Sequence, residues 1–540
     1  CCNLHHMQKT LLSLLAICFF LSGYSQSRSD RKSINRLKTH VSYLADDKLE
    51  GRRTGTAGEQ LAYSYIEKQF KKIGLSPSGD GGGYIQAFDV YDGKVVNASA
   101  TSLHIGNTSL AYPDQFFPFS FSANTPELVF SSLLDPGLQW IDLKATLDEN
   151  KTNPHFDLKD YLLTRCKEAI QSGKKACLFS NSGEVKDELR FDSTDKSERL
   201  SIPVLFVKNP VADQRISFTV ELTEKRRTGH NVIGYINNQA AQTIVLGAHY
   251  DHLGYGEDHN SLYVGKTPQI HNGADDNASG TAALMELARM IEKGSLKKYN
   301  FLIAAFSGEE LGLYGSKYLV EHFPLDIHTV NCMINMDMVG RLNDSTHGIT
   351  IGGYGTSASW GELVPVKDGY FNIKVDSAGV GPSDHTSFYR KDVPVLFFFT
   401  GVHSDYHKPS DDADKINYNG ELQVVKYIYN VVEKADKQGK LTFTKTREAT
   451  TSAKSSFKVT LGIMPDYTYS GSGVRVDGVS EGKVAQKAGI KAGDIITQLG
   501  DIKFTDVQSY MGALGKFNKG DATKVKVMRG TQEMIFDIVF

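Results

Sequence analysis

Residues 243–251 read TIVLGAHYD, an apolar run that stops on His249 and Asp251. A strand with one wet face alternates apolar and polar residues, whereas a strand covered on both faces is apolar nearly throughout. Four more segments share the second pattern: NVIGYI (231–236), FLIAAFS (301–307), CMINMDMV (332–339) and VPVLFFFTG (393–401). Between them lie stretches with helical spacing, of which TAALMELARMIEK (281–293) is the clearest. This alternation predicts an α/β fold: a mixed, mainly parallel sheet covered by helices on both faces.

In such a sheet the ligand crevice lies beyond the carboxyl ends of the strands. That edge here collects titratable side chains. His249-Tyr-Asp251 follows the first run, Glu309-Glu310 follows FLIAAFSG, Asp337 follows CMINM, and Asp405-Tyr-His407 follows VLFFFTG. A second acid pair, Asp275-Asp276 in GADDNASG (273–280), precedes the 281–293 helix, for which Asn277 or Ser279 is the predicted N-cap.

Five or six carboxylates in one crevice raise one another's pKa values unless cations neutralise them. Imidazole and carboxylate without thiolate suit zinc, and also cobalt or manganese. One acid too many for a single ion points to two ions sharing a carboxylate. Taken singly the signals are weak, since His-x-Asp is commonly a surface pair and an acid pair commonly marks a helix start. Their recurrence at strand end after strand end makes the signal specific.

The motifs GAHYDHLG, NGADDNASG, FSGEELGLYGS, INMDMVGR and SDYHKPSDD together resemble the two-zinc aminopeptidases of clan MH, which include secreted bacterial leucyl aminopeptidases and glutamate carboxypeptidase II. The resemblance covers about residues 30–90 and 225–440. It implies a zinc exopeptidase fold with two zinc ions, His249 and Asp337 on one, Glu310 and His407 on the other, and Asp275 bridging them. It also implies Glu309 as general base, Asp251 orienting His249 from behind, Asp276 in a structural role, and a cis peptide between Asp275 and Asp276. His385 of PSDHTSFY would line the site without binding metal. Tyr406 would stabilise the oxyanion, as its counterpart does in the carboxypeptidase-like members.

The flanking sequence changes texture. Residues 95–213 carry short β-prone runs such as KACLFS (175–180) and IPVLFVK (202–208) around one helical piece, KDYLLTRCKEAIQSG (159–173). They read as a small α/β insert and resemble a protease-associated domain, leaving a catalytic domain split between 26–94 and 214–443. A polar stretch reads as a linker at 444–455. Residues 456–540 resemble a bacterial PDZ domain, with LGIM (461–464) as its carboxylate-binding loop and VAQKAGIKAGDIITQLG (484–500) as the better-matched part. Such a groove takes a C-terminal peptide by strand addition.

At 540 residues the chain exceeds a single core. Its 60 basic and 62 acidic residues give a net charge of −2, which supplies no attraction for nucleic acid or an anionic membrane. From Met7, Lys9 and the apolar stretch Leu11–Leu21 follow the signal-peptide pattern and are too short for a comfortable membrane span. Ile17 is bulky for lipid attachment at Cys18. Residues 1–25 are therefore expected to be a signal peptide with an upstream extension. The protein would be exported, to the periplasm, cell surface or medium, with no stable membrane anchor. Of the remaining cysteines, Cys166 and Cys177 allow one disulfide, and Cys332 reads as a buried small hydrophobe.

The expected function is an exported metallo-aminopeptidase acting on peptide substrates. A carboxypeptidase of the same clan would need arginines to grip a terminal carboxylate, and Arg341 and Arg390 are available. A glutaminyl cyclase works with one zinc, whereas this chain keeps a set for two. A non-catalytic peptide-binding scaffold would be expected to have lost ligands.

Overall fold

The five apolar runs lie at the centre of a nine-stranded sheet. Its main strands are β1 (Ile85–Val96), β2 (Leu222–Ile236), β3 (Thr243–His249), β4 (Asn300–Phe306), β5 (Val330–Met336), β6 (Gly348–Gly352), β7 (Asn372–Val375) and β8 (Val395–Phe399). The order is Ser76–Pro77, β2, β4, β3, β5, β8, β6, β7, with β1 paired to β2. The central four, β4-β3-β5-β8, are parallel, and β2 and β6 join them antiparallel. The predicted mixed, mainly parallel sheet is what forms. The computed structural model describes residues 27–540 apart from 152–155, 157, 196, 211–212, 259, 264, 266, 447–458, 466–471, 480–482, 505–509 and 511–512. The signal-peptide reading and most of the linker lie outside the described residues.

Every residue of β3, β4 and β5 is buried, and their side chains alternate between two cores. Ile244, Leu246, Ile303 and Ile334 pack with α1 (Arg28–Leu44), α2 (Ala57–Ile73), α3 (Gly280–Lys293) and α5 (Tyr418–Lys437). Val245, Leu302 and Met333 face α4 (Tyr314–Glu321) and the short helix His385–Tyr389 on the other side. Continuous apolarity in sequence is thus the sum of two period-two faces, each covered.

β1 and β2 form a long ribbon that leaves this sheet and carries the insert. The insert holds two four-stranded sheets; one core fills the space between them, and a second lies between the other face of the second sheet and the 158–171 helix. Its expected end at residue 213 is too early: Ile216–Val220 pairs antiparallel with Ser102–Ile105 and Thr125–Phe130 inside the insert. The alternation Ile216, Phe218, Val220 runs on into Leu222 without a turn signal, so no break is visible in the sequence. Cys166 and Cys177 are free, buried thiols in the second insert core, and Cys332 is buried in the central sheet.

The linker begins later than expected. Thr444 donates its amide to Thr356 O at 2.8 Å, and Thr446 bonds the Tyr389 hydroxyl at 3.0 Å, so both remain docked on the domain of the nine-stranded sheet. Beyond it, a six-stranded sheet with a separate core starts at the edge strand Ile463–Pro465. Among the described residues no helix is long and apolar enough to cross a membrane.

A half-buried ion pair ties α1 to this frame. Arg36 donates from Nε and Nη2 to the two oxygens of Glu286, each at 2.7 Å, linking α1 to α3. Burial alone would raise the Glu286 pKa, but hydrogen bonds from Arg36, Arg289 and Ser33 bring it to about 2. A carboxylate depressed in the folded state stabilises above its unfolded value, near 4.5, and loses that contribution as pH falls towards 2. Arg36→Met is expected to cost about 1.5–3 kcal/mol at neutral pH. Urea unfolding checks this, and the difference from wild type should shrink as pH is lowered from 4.5 to 2.

Candidate metal centre

Three loops at the carboxyl edge are locked together by side chains. Asn277 donates to Met336 O at 3.0 Å while its Oδ1 accepts from the amides of Gly280 (2.9 Å) and Met338 (3.1 Å). It therefore caps α3 and pins the β5 exit at once. Ser279, the other candidate cap, turns back to Asp275 Oδ1 at 2.9 Å and accepts from Val339 N. From beneath, the fully buried Arg52 donates to the carbonyls of Leu44, Tyr250 (2.6 Å), Asn272 (2.6 Å) and Gly273 (2.9 Å). One guanidinium thus joins the loop after β3 to the loop before α3. Burial lowers its pKa to about 10 against the pull of Asp251, Asp276, Asp411 and Glu310, so it stays charged.

Two donor clusters result, with atoms within 4.8 Å of one another: His249, Asp276 and Asp337, and His252, Asp276 and Glu310. His249 Nε2 lies 3.5 Å from Asp276 Oδ1 and 3.4 Å from Asp337 Oδ1. His407 Nε2 lies 3.2 Å from Asp276 Oδ2 and 3.4 Å from Glu310 Oε2. Donors at 2.0–2.2 Å from a tetrahedral zinc stand about 3.3–3.6 Å apart, close to these separations. Asp276 offers one oxygen to each side. The donor set therefore fits two divalent ions.

The imidazoles are turned for this task. His407 Nδ1 is 2.8 Å from Asn260 O, which leaves Nε2 facing the acids. His249 Nδ1 faces Asp251, 3.3 Å from its carbonyl and 3.7 Å from Oδ1. Asp251 is itself held by Thr54 Oγ1 at 3.1 Å and by the Glu309 amide at 3.2 Å. Outer partners of this kind fix the ring orientation of a metal-bound histidine.

Electrostatics point the same way. Burial would lower the His249 pKa, but Asp337, Glu309 and Asp251 carry it well above its ordinary value; Glu310 and Asp276 do the same for His407. Burial, with the charges of Asp337, Asp384 and Glu310, pushes Glu309 well above the carboxylate range, His249 acting against it. The crevice is an unbalanced concentration of negative charge that attracts cations. Tyr406 stacks on His407, centroids 3.9 Å apart, and burial among the same acids keeps its hydroxyl protonated.

Residues 231–432 match Peptidase family M28, and residues 442–539 match the PDZ domain. The chain carries an M28 peptidase domain followed by a PDZ domain. Aminopeptidase YwaD of Bacillus subtilis is 25% identical over 297 residues, 51% of this chain and 60% of that protein. Leupeptin-inactivating enzyme 1 of Streptomyces exfoliatus is 28% identical over 204 residues, 36% of this chain and 40% of that protein. The chain therefore spans less than two thirds of the length of both relatives. A solved zinc aminopeptidase from Bacillus subtilis covers 77% of this chain and 96% of its own at a TM-score of 0.45 and 19% identity.

Within the M28 domain the sequence-level assignment needs one exchange. The carboxylate between the two histidines belongs to Asp276. Asp275 points away: its Oδ1 accepts from Ser279 Oγ (2.9 Å) and Gly340 N (2.7 Å), and its Oδ2 faces His403 Nε2 at 3.2 Å. The cis peptide correspondingly joins Asp276 to Asn277. His385 is buried and stacked on Phe397, outside both donor clusters, and burial lowers its pKa to about 3. The sequence reading gave no role to Arg52, His252, His403 or Asp411. Asp411 and His252 stand inside quoted motifs, so their signal was present. Arg52 lies some two hundred residues from three of the four carbonyls it binds, with nothing in its neighbourhood to mark them.

Asp276→Asn is expected to strip metal from both positions, whereas Asp275→Asn should retain it and lose only stability. Metal per chain, measured by inductively coupled plasma mass spectrometry, separates the two. The reverse pattern would return the bridge to Asp275.

Proposed function

We propose that the chain is an exported aminopeptidase that hydrolyses N-terminal peptide bonds with two zinc ions and Glu309 as general base. The observation carrying this is the split presentation of Asp276, one oxygen towards His249 and Asp337, the other towards Glu310 and His407. The name of the relative YwaD supports the amino-terminal direction, and a donor set of imidazole and carboxylate without thiolate supports zinc. His249, Asp276 and Asp337 would hold one ion, and Asp276, Glu310 and His407 the other. Ions bound there would polarise the scissile carbonyl and acidify a water.

The protein's own groups do the rest. Glu309 follows Gly308, whose φ of 72° turns the chain just past β4. Glu310 then faces His407 while Glu309 stays beside Asp337 and His249, outside both donor clusters. A carboxylate whose burial favours the protonated form accepts a proton from water readily and delivers it to the leaving amine. The protonated Tyr406 hydroxyl is a hydrogen-bond donor for the negative oxygen of the tetrahedral intermediate. Asp251 keeps His249 in one orientation throughout.

Against the carboxypeptidase reading, the Arg341 guanidinium is occupied, with Nη1 and Nη2 each 3.3 Å from Asp405 Oδ2. Against the scaffold reading, both donor clusters and the base are intact. Export rests on the segment from Met7, and the PDZ domain would bind a C-terminal peptide at the edge strand Ile463–Pro465.

Glu309→Gln is expected to lower turnover of an amino-terminal chromogenic amide by roughly 10²–10⁴-fold with metal content unchanged; retained activity would move the base elsewhere. Truncation after Lys454 removes a separate core and should leave hydrolysis of small amides within about twofold. A larger loss would mean that the PDZ domain completes the site.

A further inference from the structure

His252 stands in the HYDHLG stretch without a role in the scheme above. It is 2% exposed, and its ring lies flat against Gly273, where a Cβ would come within 2.4–2.5 Å of His252 Cδ2 and Cγ. Gly273, at φ 55°, gives the ring its place, and the Gly273 carbonyl is itself fixed by Arg52. The His252 amide faces Arg52 O at 3.4 Å. The ring is therefore held against Gly273 and the backbone beneath it against Arg52. In that position Nδ1 is 2.8 Å from Glu310 Oε1 and 3.9 Å from Asp276 Oδ2, while Nε2 meets no hydrogen-bond partner among the described residues.

Two roles suit a nitrogen placed there: a donor atom to the second ion, or an N–H donor to Glu310. The spacings discriminate. Atoms sharing a tetrahedral zinc stand about 3.3–3.6 Å apart, as the His249 and His407 pairs nearly do. His252 is too close to one oxygen and too far from the other. Its 2.8 Å contact is the length of an N–H···O bond to a charged carboxylate. With the proton on Nδ1, what remains unpaired is an acceptor, Nε2, and no buried N–H is left without a partner.

Occupying Oε1 leaves Oε2, the oxygen 3.4 Å from His407 Nε2, as the one Glu310 offers. We infer that His252 is a positioning residue that donates Nδ1–H to Glu310 Oε1, so that Glu310 meets the second metal ion through Oε2 alone. This rests on the two-metal reading above. Loss of such an outer partner typically weakens metal binding about 10–100-fold.

His252→Phe keeps a ring against Gly273 and removes the N–H; His252→Asn places an amide N–H where Nδ1 was. The test is competition of each purified full-length variant with a graded zinc chelator, counting ions per chain, together with the d–d absorption of the cobalt-loaded protein. The expected result is that the Phe variant releases one of two ions at about 10–100-fold lower chelator strength, with the other ion unmoved and the Asn variant close to wild type. Equal retention of both ions in the Phe variant would overturn the inference. Equal weakening in Phe and Asn variants would overturn it too, by making the imidazole itself the ligand. A wild-type chain that holds fewer than two ions would instead sink the two-metal reading beneath it. Thermal melts report whether each variant folds, and His252→Leu replaces the Phe variant if that one does not.

Discussion

The crowding of carboxylates at the carboxyl edge of a parallel sheet is the constraint on which everything else here depends. Asp251, Asp275 and Asp411 have no exposed surface, Asp276 is 3% exposed, and Glu309, Glu310 and Asp337 stand beside them. Such density is tolerable only through cations, protons or hydrogen bonds. All three appear, in layers. The innermost acids face two histidines and the proposed metal positions. Behind them, Asp411 and Asp384 are pushed up to about 7, and Glu421 well above its usual range, all chiefly by burial, so the outer acids shed charge by holding protons. Arg52 adds one permanent positive charge below the cluster.

The same requirement explains why so much of the chain's hydrogen bonding converges on loops. The proposed metal positions draw on five segments, after β3, before α3, after β4, after β5 and after β8, and are only as accurate as the joints between them. Asn277 joins the second segment to the β5 exit, Arg52 joins the first to the second, and Asp251 joins the first to the Glu309 amide. Asn260 fixes His407 by its backbone carbonyl and donates from its side-chain Nδ2 to Glu310 O at 3.3 Å. Rigid strands bring the donors to one edge, and polar side chains of buried loops set the final ångström. That division of labour places the chemistry in loops without leaving it loose.

What could be read from sequence follows the same division. Apolar runs announce β3, β4, β5 and β8 because burial on both faces leaves a composition signature, and strand ends then announce His249, Glu310, Asp337 and His407. The joints announce nothing. Arg52 reaches carbonyls, and any backbone offers a carbonyl, so no partner residue type marks it. The insert boundary failed for a related reason: Ile216–Val220 and β2 share one alternation, and what separates them is a change of pairing partner, which is a property of space. Tyr406 lies between these cases. Its place before His407 was legible, but whether its hydroxyl or its ring matters depends on a stacking geometry that sequence does not carry.

The acid pair Asp275–Asp276 shows the limit most sharply. Two adjacent side chains on an irregular loop point to different sides, so one facing the metal positions commits the other to the protein interior. Composition and spacing cannot say which is which. The register is set by Asp411, whose Oδ2 accepts the amides of both Asp275 (3.0 Å) and Asp276 (3.1 Å), and whose carbonyl accepts from Ala274. Held by three consecutive amides, the loop turns Asp276 outward, while Asp275 is captured by Ser279, Gly340 and His403. Neither acid is redundant. Asp276 turns one oxygen to each of two histidines, the presentation on which the proposed pair of metal positions rests. Asp275 ties the loop before α3 to those after β5 and β8, the joint without which Asp276 would have no fixed direction.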